Sequence, residues 1–110
     1  MNSLKKSQKE IRMEITAEKK EEKLIIFLNG RLDTTNAKEA EEEIDKLLGD
    51  EADVTFDLKD LIYLSSAGLR ILLLAQKRML KQGRMTVKNV NETVTEIFET
   101  TGFNEILTIE

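Results

Sequence analysis

The 110-residue sequence lacks cysteine, histidine, proline and tryptophan altogether. Without cysteine there is no disulfide framework, and the chain suits a reducing compartment. The joint absence of cysteine and histidine removes thiolate nucleophiles, imidazole bases and almost all zinc sites. Carboxylate-only hydrolysis and a Mg²⁺ site remain open, but the sequence has no P-loop, EF-hand or dinucleotide-binding motif. We therefore expect a binding protein without a metal or cofactor rather than an enzyme.

Long apolar runs and an excess of positive charge are also missing. No run approaches the ~18 apolar residues of a membrane-spanning helix, so no membrane span is expected. The net charge is −4, and a chain without a basic face is not expected to bind nucleic acid. Residues 1–10 are interpreted as a flexible leader without the apolar segment of a secretory signal, and residues 11–110 as one domain. Together these features favour a cytoplasmic protein.

Hydrophobic periodicity predicts strands that alternate with helices. A period-2 strand over residues 11–18 and a continuous apolar run over 24–28, buried on both faces, form an antiparallel hairpin. Helices are predicted over 36–48, 66–82 and 94–101, and further strands over 54–58, 85–87 and 106–109. The order β-β-α-β-α-β-α-β predicts a single α/β domain. Its mixed, mostly parallel sheet has about five strands, with helices packed on it.

The long helix over 66–82 carries one apolar stripe and one basic face. Gly83 follows it at a position where a left-handed residue commonly ends a helix. Leu74 falls among cations and has two interpretations, an isolated exposed leucine or an apolar anchor inside a charged rim. The predicted stripe consists of Leu69, Leu72, Leu73, Gln76, Met79 and Leu80, widened by Ile71 and Ala75, and the basic face of Arg70, Lys77, Arg78 and Lys81.

Ser65 and Ser66 stand where the long helix begins. A serine hydroxyl there can cap the helix by accepting a backbone N–H. The exposed N–H groups and the positive end of the helix dipole also favour an anion. A phosphate on Ser66 would add about −1.5 to −2 charges without melting the fold, as a reversible switch requires. Gly68 either packs closely or keeps the backbone accessible to a partner.

Two aspartates follow predicted strands. Asp33 comes after the second strand, and Asp60 comes after the third, a few residues before the serines. Loops at the carboxyl ends of parallel strands cluster at one edge of a sheet, so Asp33 and Ser66 are expected to be neighbours. Asp33 is alternatively a turn or capping residue. Hydrolysis is not favoured because neither a base nor an oxyanion device accompanies the carboxylates.

Taken together, these motifs resemble those of STAS domains, specifically the bacterial anti-sigma factor antagonists. The resemblance covers residues 11–109. Ser65 stands where many members carry aspartate, and Ala67 and Arg70 stand where many carry serine and glycine. The matching segments are Gly30-Arg31-Leu32-Asp33, Phe56-Asp57-Leu58, Tyr63-Leu64-Ser65-Ser66-Ala67-Gly68-Leu69, Val87-Lys88-Asn89-Val90, Thr101-Gly102-Phe103 and Ile106-Leu107.

The resemblance implies a partner-switching function. The unphosphorylated antagonist would bind an anti-sigma factor with serine kinase activity, phosphorylation would release it, and a serine phosphatase would restore binding. Ser66 is the implied phosphorylation site, with Ser65 as the second choice. The alternative is a STAS scaffold without phosphorylation, or an accessory subunit of a transport or signalling complex. The predicted partner-binding residues are Asp33, Thr34, Ser65, Ser66, Ala67, Gly68, Arg70 and Leu74.

Overall fold

A computed structural model describes residues 13–110, so the predicted leader over 1–10 lies outside the described residues. The described chain contains five strands, three helices and one short 3₁₀ turn. The strands are β1 (Met13–Lys20), β2 (Lys23–Leu32), β3 (Asp53–Asp57), β4 (Leu61–Leu64) and β5 (Arg84–Lys88). The helices are α1 (Ala37–Leu47), α2 (Ser66–Leu80) and α3 (Glu92–Thr101), and the 3₁₀ turn is Phe103–Glu105.

The strands form one mixed sheet in the order β1-β2-β3-β5, with β4 paired to β2. The β1–β2 pair is antiparallel, and the other pairs are parallel. Strand β2 is long enough to have two partners on the same side, because residues 23–27 pair with β3 and residues 30–32 pair with β4. The sheet confirms the predicted α/β class and the antiparallel entry hairpin.

One strand was missed, and one predicted strand was wrong. Strand β4 was not predicted, and its burial does not alternate, because Leu61 and Leu64 are buried while Ile62 and Tyr63 are exposed. The predicted strand over 106–109 is reduced to one parallel bridge between Ile109 and Val87. This segment is apolar because it contributes to the core and not because it is a strand: Leu107 packs into the core next to the 3₁₀ turn.

One hydrophobic core lies between the sheet and the helices. Its centre is β3, where Val54, Thr55 and Phe56 are all buried. In β2, by contrast, burial alternates, and Ile25 and Phe27 are only partly buried. The prediction that the second strand is buried on both faces was therefore wrong, and that property belongs to β3.

The buried stripe of α2 is rotated from the predicted one. Leu80 was assigned to the stripe but is 71% exposed, and Leu73 is only partly buried. Because α2 packs against both the sheet and α1, the stripe is displaced toward α1. The buried residues of the helix are Gly68, Leu69, Ile71, Leu72, Ala75 and Met79.

Gly83 does not have the left-handed conformation expected after the long helix. The glycines with positive φ in the described chain are Gly30 (φ 102°) and Gly102 (φ 82°). At Gly83 the constraint is space, because an added Cβ would lie 2.0 Å from the carbonyl oxygen of Ala52. The same oxygen accepts a hydrogen bond from the N–H of Arg84 at 2.9 Å. Gly83 therefore permits a close crossing of two backbone segments.

Glu51 ties the loop after α1 to the first strand. Its carboxylate is buried, accepts the N–H of Gly49 at 2.8 Å and lies 3.3 Å from the Lys19 ammonium. Burial alone would raise the pKa of Glu51, but the backbone hydrogen bonds and Lys19 outweigh it, so the pKa lies below its ordinary value of 4.5. Because the pKa is lower in the folded state, the ionised carboxylate stabilises the fold at pH values above its ordinary pKa. That stabilisation is lost as the pH falls through the pKa of the folded state.

Glu51→Gln is expected to lower the free energy of unfolding by about 1–2 kcal/mol at pH 7, because the charged acceptor is lost. The exposed Lys19 adds little because solvent screens the ion pair. Urea unfolding at pH 7 and pH 4 should show the difference between wild type and variant shrinking at the lower pH. Glu42→Gln, on the exposed face of α1, is the control and should change little. A pH-independent difference would contradict a role for the carboxylate charge.

Candidate partner-binding site at the ends of β2 and β4

Parallel pairing of β2 and β4 brings two separate loops together. Leu32 is aligned with Leu64, and the N–H of Ser65 donates to the carbonyl oxygen of Leu32 at 2.9 Å. Asp33 follows Leu32 directly, and Ser66 follows Ser65, so the two loops leave the sheet side by side. Asp60 lies elsewhere, at the beginning of β4, where its carbonyl oxygen accepts the N–H of Gly30.

The two serines have different environments. Ser65 is the N-cap of α2, and its Oγ accepts the N–H of Gly68 in a long hydrogen bond of 3.4 Å. Ser66 is the first helical residue and is exposed. Its hydroxyl has no hydrogen-bond partner among residues 13–110. The Ser65 hydroxyl is therefore engaged in the helix cap, whereas the Ser66 hydroxyl is accessible.

Gly68 fixes the beginning of α2 against the ends of both strands. It is buried, and an added Cβ would lie 2.4 Å from Leu64 Cδ1 and 2.9 Å from Leu32 Cγ. Of the two roles that the sequence left open, the structure favours close packing. The absence of a side chain lets the first turn of α2 approach β2 and β4 closely and sets the position of Ser66.

Asp33 is held in a local turn. Its carboxylate accepts the Thr35 hydroxyl at 2.6 Å and the Thr35 N–H at 3.0 Å. These hydrogen bonds, together with the nearby charge of Arg31, lower the pKa of Asp33. The buried amide of Asn36 closes the turn by accepting the Asp33 N–H at 3.0 Å and donating to the Arg31 carbonyl at 2.8 Å. The turn therefore holds the Asp33 carboxylate partly exposed, at the start of the loop that leaves β2 beside the serine loop.

Arg31 and Tyr63 form a surface that the sequence did not predict. They are aligned across β2 and β4, and the guanidinium carbon lies 4.7 Å from the centre of the tyrosine ring. Both are exposed, and the neighbouring Ile62 is 58% exposed. Such a stack contributes about 0.5–1 kcal/mol at an exposed site. The only indication of this stack in the sequence was that Arg31 and Tyr63 each lie close to one of the two loops. Their alignment could not be predicted, because β4 was not predicted.

The remaining predicted residues are arranged along α2 and in the first loop. Ser66, Arg70 and Leu74 recur at intervals of four residues on one side of α2, and all three are exposed. Thr34 is exposed in the Asp33 loop, and Ala67 is partly buried. Leu74 is 38% exposed, so it presents an apolar side chain on this otherwise polar line.

Neither a side-chain cluster suited to a metal ion nor a membrane-spanning helix occurs in the described part of the chain. Within residues 13–110 there is no cluster of three or more Asp, Glu, His or Cys side chains that could hold a metal ion. None of the helices in that range is long and apolar enough to cross a membrane. What the site does offer is an exposed hydroxyl, a fixed carboxylate and a line of polar and apolar contacts.

Comparison with known proteins gives consistent matches. The STAS domain model matches residues 14–110. BtrV of Bordetella bronchiseptica, assigned as an anti-sigma factor antagonist, is 35% identical over 99 residues, covering 88% of this chain and 85% of BtrV. The anti-sigma-B factor antagonist of Bacillus subtilis is 27% identical, covering 86% of this chain and 88% of that protein. An anti-sigma factor antagonist from Mycobacterium paratuberculosis has a similar crystal structure, with a TM-score of 0.80 at 19% identity and coverage of 88% and 84%. The chain therefore belongs to the STAS domain family.

Proposed function

We propose that this protein is a cytoplasmic anti-sigma factor antagonist that works by partner switching. In its unphosphorylated form it binds an anti-sigma factor that is also a serine kinase. Phosphorylation of Ser66 releases the complex, and a serine phosphatase restores the binding form. The observation that carries this proposal is the exposed Ser66 hydroxyl at the first turn of α2, beside the Asp33 loop.

The position of Ser66 suits a phosphate without loss of the fold. The first turn of a helix presents unpaired N–H groups and the positive end of the helix dipole, and both stabilise an anion. The first turn of α2 contains no acidic residue that would repel it. Because Ser65 is the cap, modification of Ser66 leaves the capping hydrogen bond in place.

The same phosphate would oppose binding of a partner. It adds about −1.5 to −2 charges to the surface and brings three strongly hydrated oxygens. Asp33 lies in the adjacent loop, and hydrogen bonds from Thr35 lower its pKa, so the phosphate would add to a negative charge already present on this side of the sheet. A partner that fits the neutral serine would then have to desolvate a dianion and tolerate repulsion against its own acidic groups. Release by phosphorylation follows from these two costs.

The experiment for this proposal is phosphorylation by the cognate anti-sigma factor kinase with ATP. Tryptic cleavage after Lys59 and Arg70 isolates residues 60–70, so mass spectrometry of that peptide reports on Ser65 and Ser66. Ser66→Ala should abolish phosphate incorporation. Ser65→Ala should retain it while losing about 1 kcal/mol of stability, because the helix cap is removed.

Phosphate that persists in Ser66→Ala, or that maps to Ser65, would contradict the assignment. A wild-type chain that binds the kinase but takes up no phosphate would favour the alternative of a STAS scaffold or accessory subunit. Circular dichroism of both variants separates a lost phosphorylation site from a lost fold.

A further inference from the structure

The Arg31–Tyr63 stack borders the two loops of the proposed site. The next residue of each strand, Leu32 or Leu64, is buried. Because successive side chains of a strand alternate between faces, Arg31 and Tyr63 project from the opposite face of the sheet. The N–H of Ser65 donates to the carbonyl oxygen of Leu32, so the stack lies where both loops leave the strands. It therefore extends the surface of the proposed site across the ends of β2 and β4.

The guanidinium of Arg31 is positioned but not engaged. Its carbon lies 4.7 Å from the centre of the Tyr63 ring, so the ring holds one flat face of the group. Among residues 13–110 the guanidinium forms no ion pair and donates no hydrogen bond. By contrast, Arg78 donates to two backbone carbonyls and Arg84 pairs with a carboxylate. Stacking uses the face of the guanidinium and leaves the N–H donors at its edge free for a planar acceptor.

The fold explains the burial of only half of β4. Leu61 and Leu64 belong to the core, whereas Ile62 is 58% and Tyr63 is 36% exposed. Neither of these two exposed side chains packs against the core cluster. Arginine and tyrosine are enriched at protein interfaces, where a few such residues carry much of the binding energy. The middle of β4 therefore supplies an apolar flank to the free guanidinium.

Arg31 and Asp33 give this edge of the sheet two opposite charges. They are separated by Leu32, and the charge of Arg31 adds to the Thr35 hydrogen bonds in lowering the pKa of Asp33. The two groups do not form an ion pair with each other. Because neither charge neutralises the other, a complementary surface carries an acidic group opposite Arg31 and a basic group opposite Asp33.

We propose that Arg31, positioned by Tyr63, binds an Asp or Glu carboxylate of the anti-sigma factor, while an apolar part of the same partner surface covers Ile62. A carboxylate is the planar acceptor whose two oxygens match two parallel N–H donors of a guanidinium. Because the ring already restrains the arginine, less conformational freedom is lost when the partner binds. The inference rests on the proposed function and names a contact of the same binding surface.

Calorimetric titration of the full-length unphosphorylated chain with the purified cognate anti-sigma factor tests this contact. Arg31→Gln should weaken binding about 10- to 100-fold, because it leaves the partner carboxylate without its counter-charge. Arg84→Gln is the matched control, since Arg84 is also exposed but lies on β5, which pairs with neither β2 nor β4. It should stay within about 2-fold of wild type. Higher salt should weaken wild type more than Arg31→Gln, and equal salt dependence would overturn a charge contact.

Two conservative variants test the geometry. Arg31→Lys retains the charge but not the planar fork, so it should bind at least about 5-fold more weakly than wild type. Tyr63→Phe keeps the ring and should stay within about 2-fold, whereas Tyr63→Leu should weaken binding about 3- to 5-fold. In the Arg31→Gln background, Tyr63→Leu should have a smaller effect than in wild type. Wild-type affinity of Arg31→Lys, or effects of the two positions that simply multiply, would overturn the stacked, bidentate contact.

The acceptor on the partner is found by replacing each Asp and Glu of the anti-sigma factor with alanine. For one of these variants, Arg31→Gln should cause little further loss of affinity, because the contact has already been removed. If every partner variant loses affinity independently of Arg31→Gln, the assignment to a carboxylate is overturned.

Ser66→Asp in the same titrations separates the two proposals. If Ser66→Asp loses binding while Arg31→Gln and Arg31→Lys bind like wild type, the Arg31 contact is overturned and the proposed function stands. If wild type does not bind the anti-sigma factor, both are overturned. If sedimentation shows a wild-type dimer that Arg31→Gln dissociates, the acceptor lies on a second copy of this chain, and its assignment to the anti-sigma factor is overturned. Thermal unfolding of each variant separates a lost contact from a lost fold.

Discussion

Ser66→Asp is expected to weaken binding to the anti-sigma factor by about 100-fold. A negative charge buried in a tight contact has to be desolvated, and it adds to the charge of Asp33 in the adjacent loop; together these effects cost about 3 kcal/mol. Each 1.4 kcal/mol corresponds to about tenfold in affinity. Isothermal titration calorimetry with the unphosphorylated wild-type chain as the reference measures this loss directly.

Ser66→Asn is the matched control, because asparagine has nearly the shape of aspartate without the charge. It should retain most of the affinity that Ser66→Asp loses, and Ser66→Ala should bind within a few-fold of wild type. Higher salt should reduce the difference between the aspartate and asparagine variants, since screening weakens exposed charge repulsion. Equal losses for Asp and Asn would show that shape rather than charge controls release.

Gly83→Ala is expected to cause a large loss of stability. The new Cβ would lie 2.0 Å from the Ala52 oxygen and 2.6 Å from its carbonyl carbon, and both atoms belong to backbone that cannot rotate away. Overpacking against side chains costs about 1–3 kcal/mol, and a backbone clash belongs at or above the upper end. Thermal unfolding should show a midpoint lower by roughly 10–20 °C.

Gly102 provides the control, because its constraint is the backbone dihedral angle rather than space. Nothing lies within 4 Å of a Cβ added there, but its φ is 82°. Gly102→Ala should cost only about 1 kcal/mol, and Gly102→Asn should recover part of that, since asparagine tolerates the left-handed region. Gly83→Asn should recover nothing. Recovery at position 83 would show that dihedral strain, not the contact with Ala52, requires the glycine.

The helices were predicted well because their signals are local. Apolar spacing placed the first helix over 36–48 and the third over 94–101, and the structure has Ala37–Leu47 and Glu92–Thr101. Neighbouring turns of one helix carry these signals, so no distant contact is needed to interpret them. The rotation of α2 was not predictable in this way, because it depends on how α1 packs beside it.

Strand β4 shows where sequence patterns fail. Only its two ends are buried, so neither an alternating nor a continuous apolar pattern is present. The segment becomes a strand because the second half of β2 offers it a free edge. That edge exists only when β2 extends beyond its pairing with β3, which is a property of the assembled sheet.

The sequence by itself determined the α/β class, the three helices and a serine pair at the beginning of α2. These follow from local periodicity and helix-terminal residues. Only the tertiary structure decided that the Asp33 loop leaves the sheet beside the serine loop and that Arg31 stacks on Tyr63. Both depend on residues far apart in the chain that meet through the pairing of β2 with β4. Such long-range contacts leave no periodic trace in the sequence, so the surface around Ser66 became visible only in the folded chain.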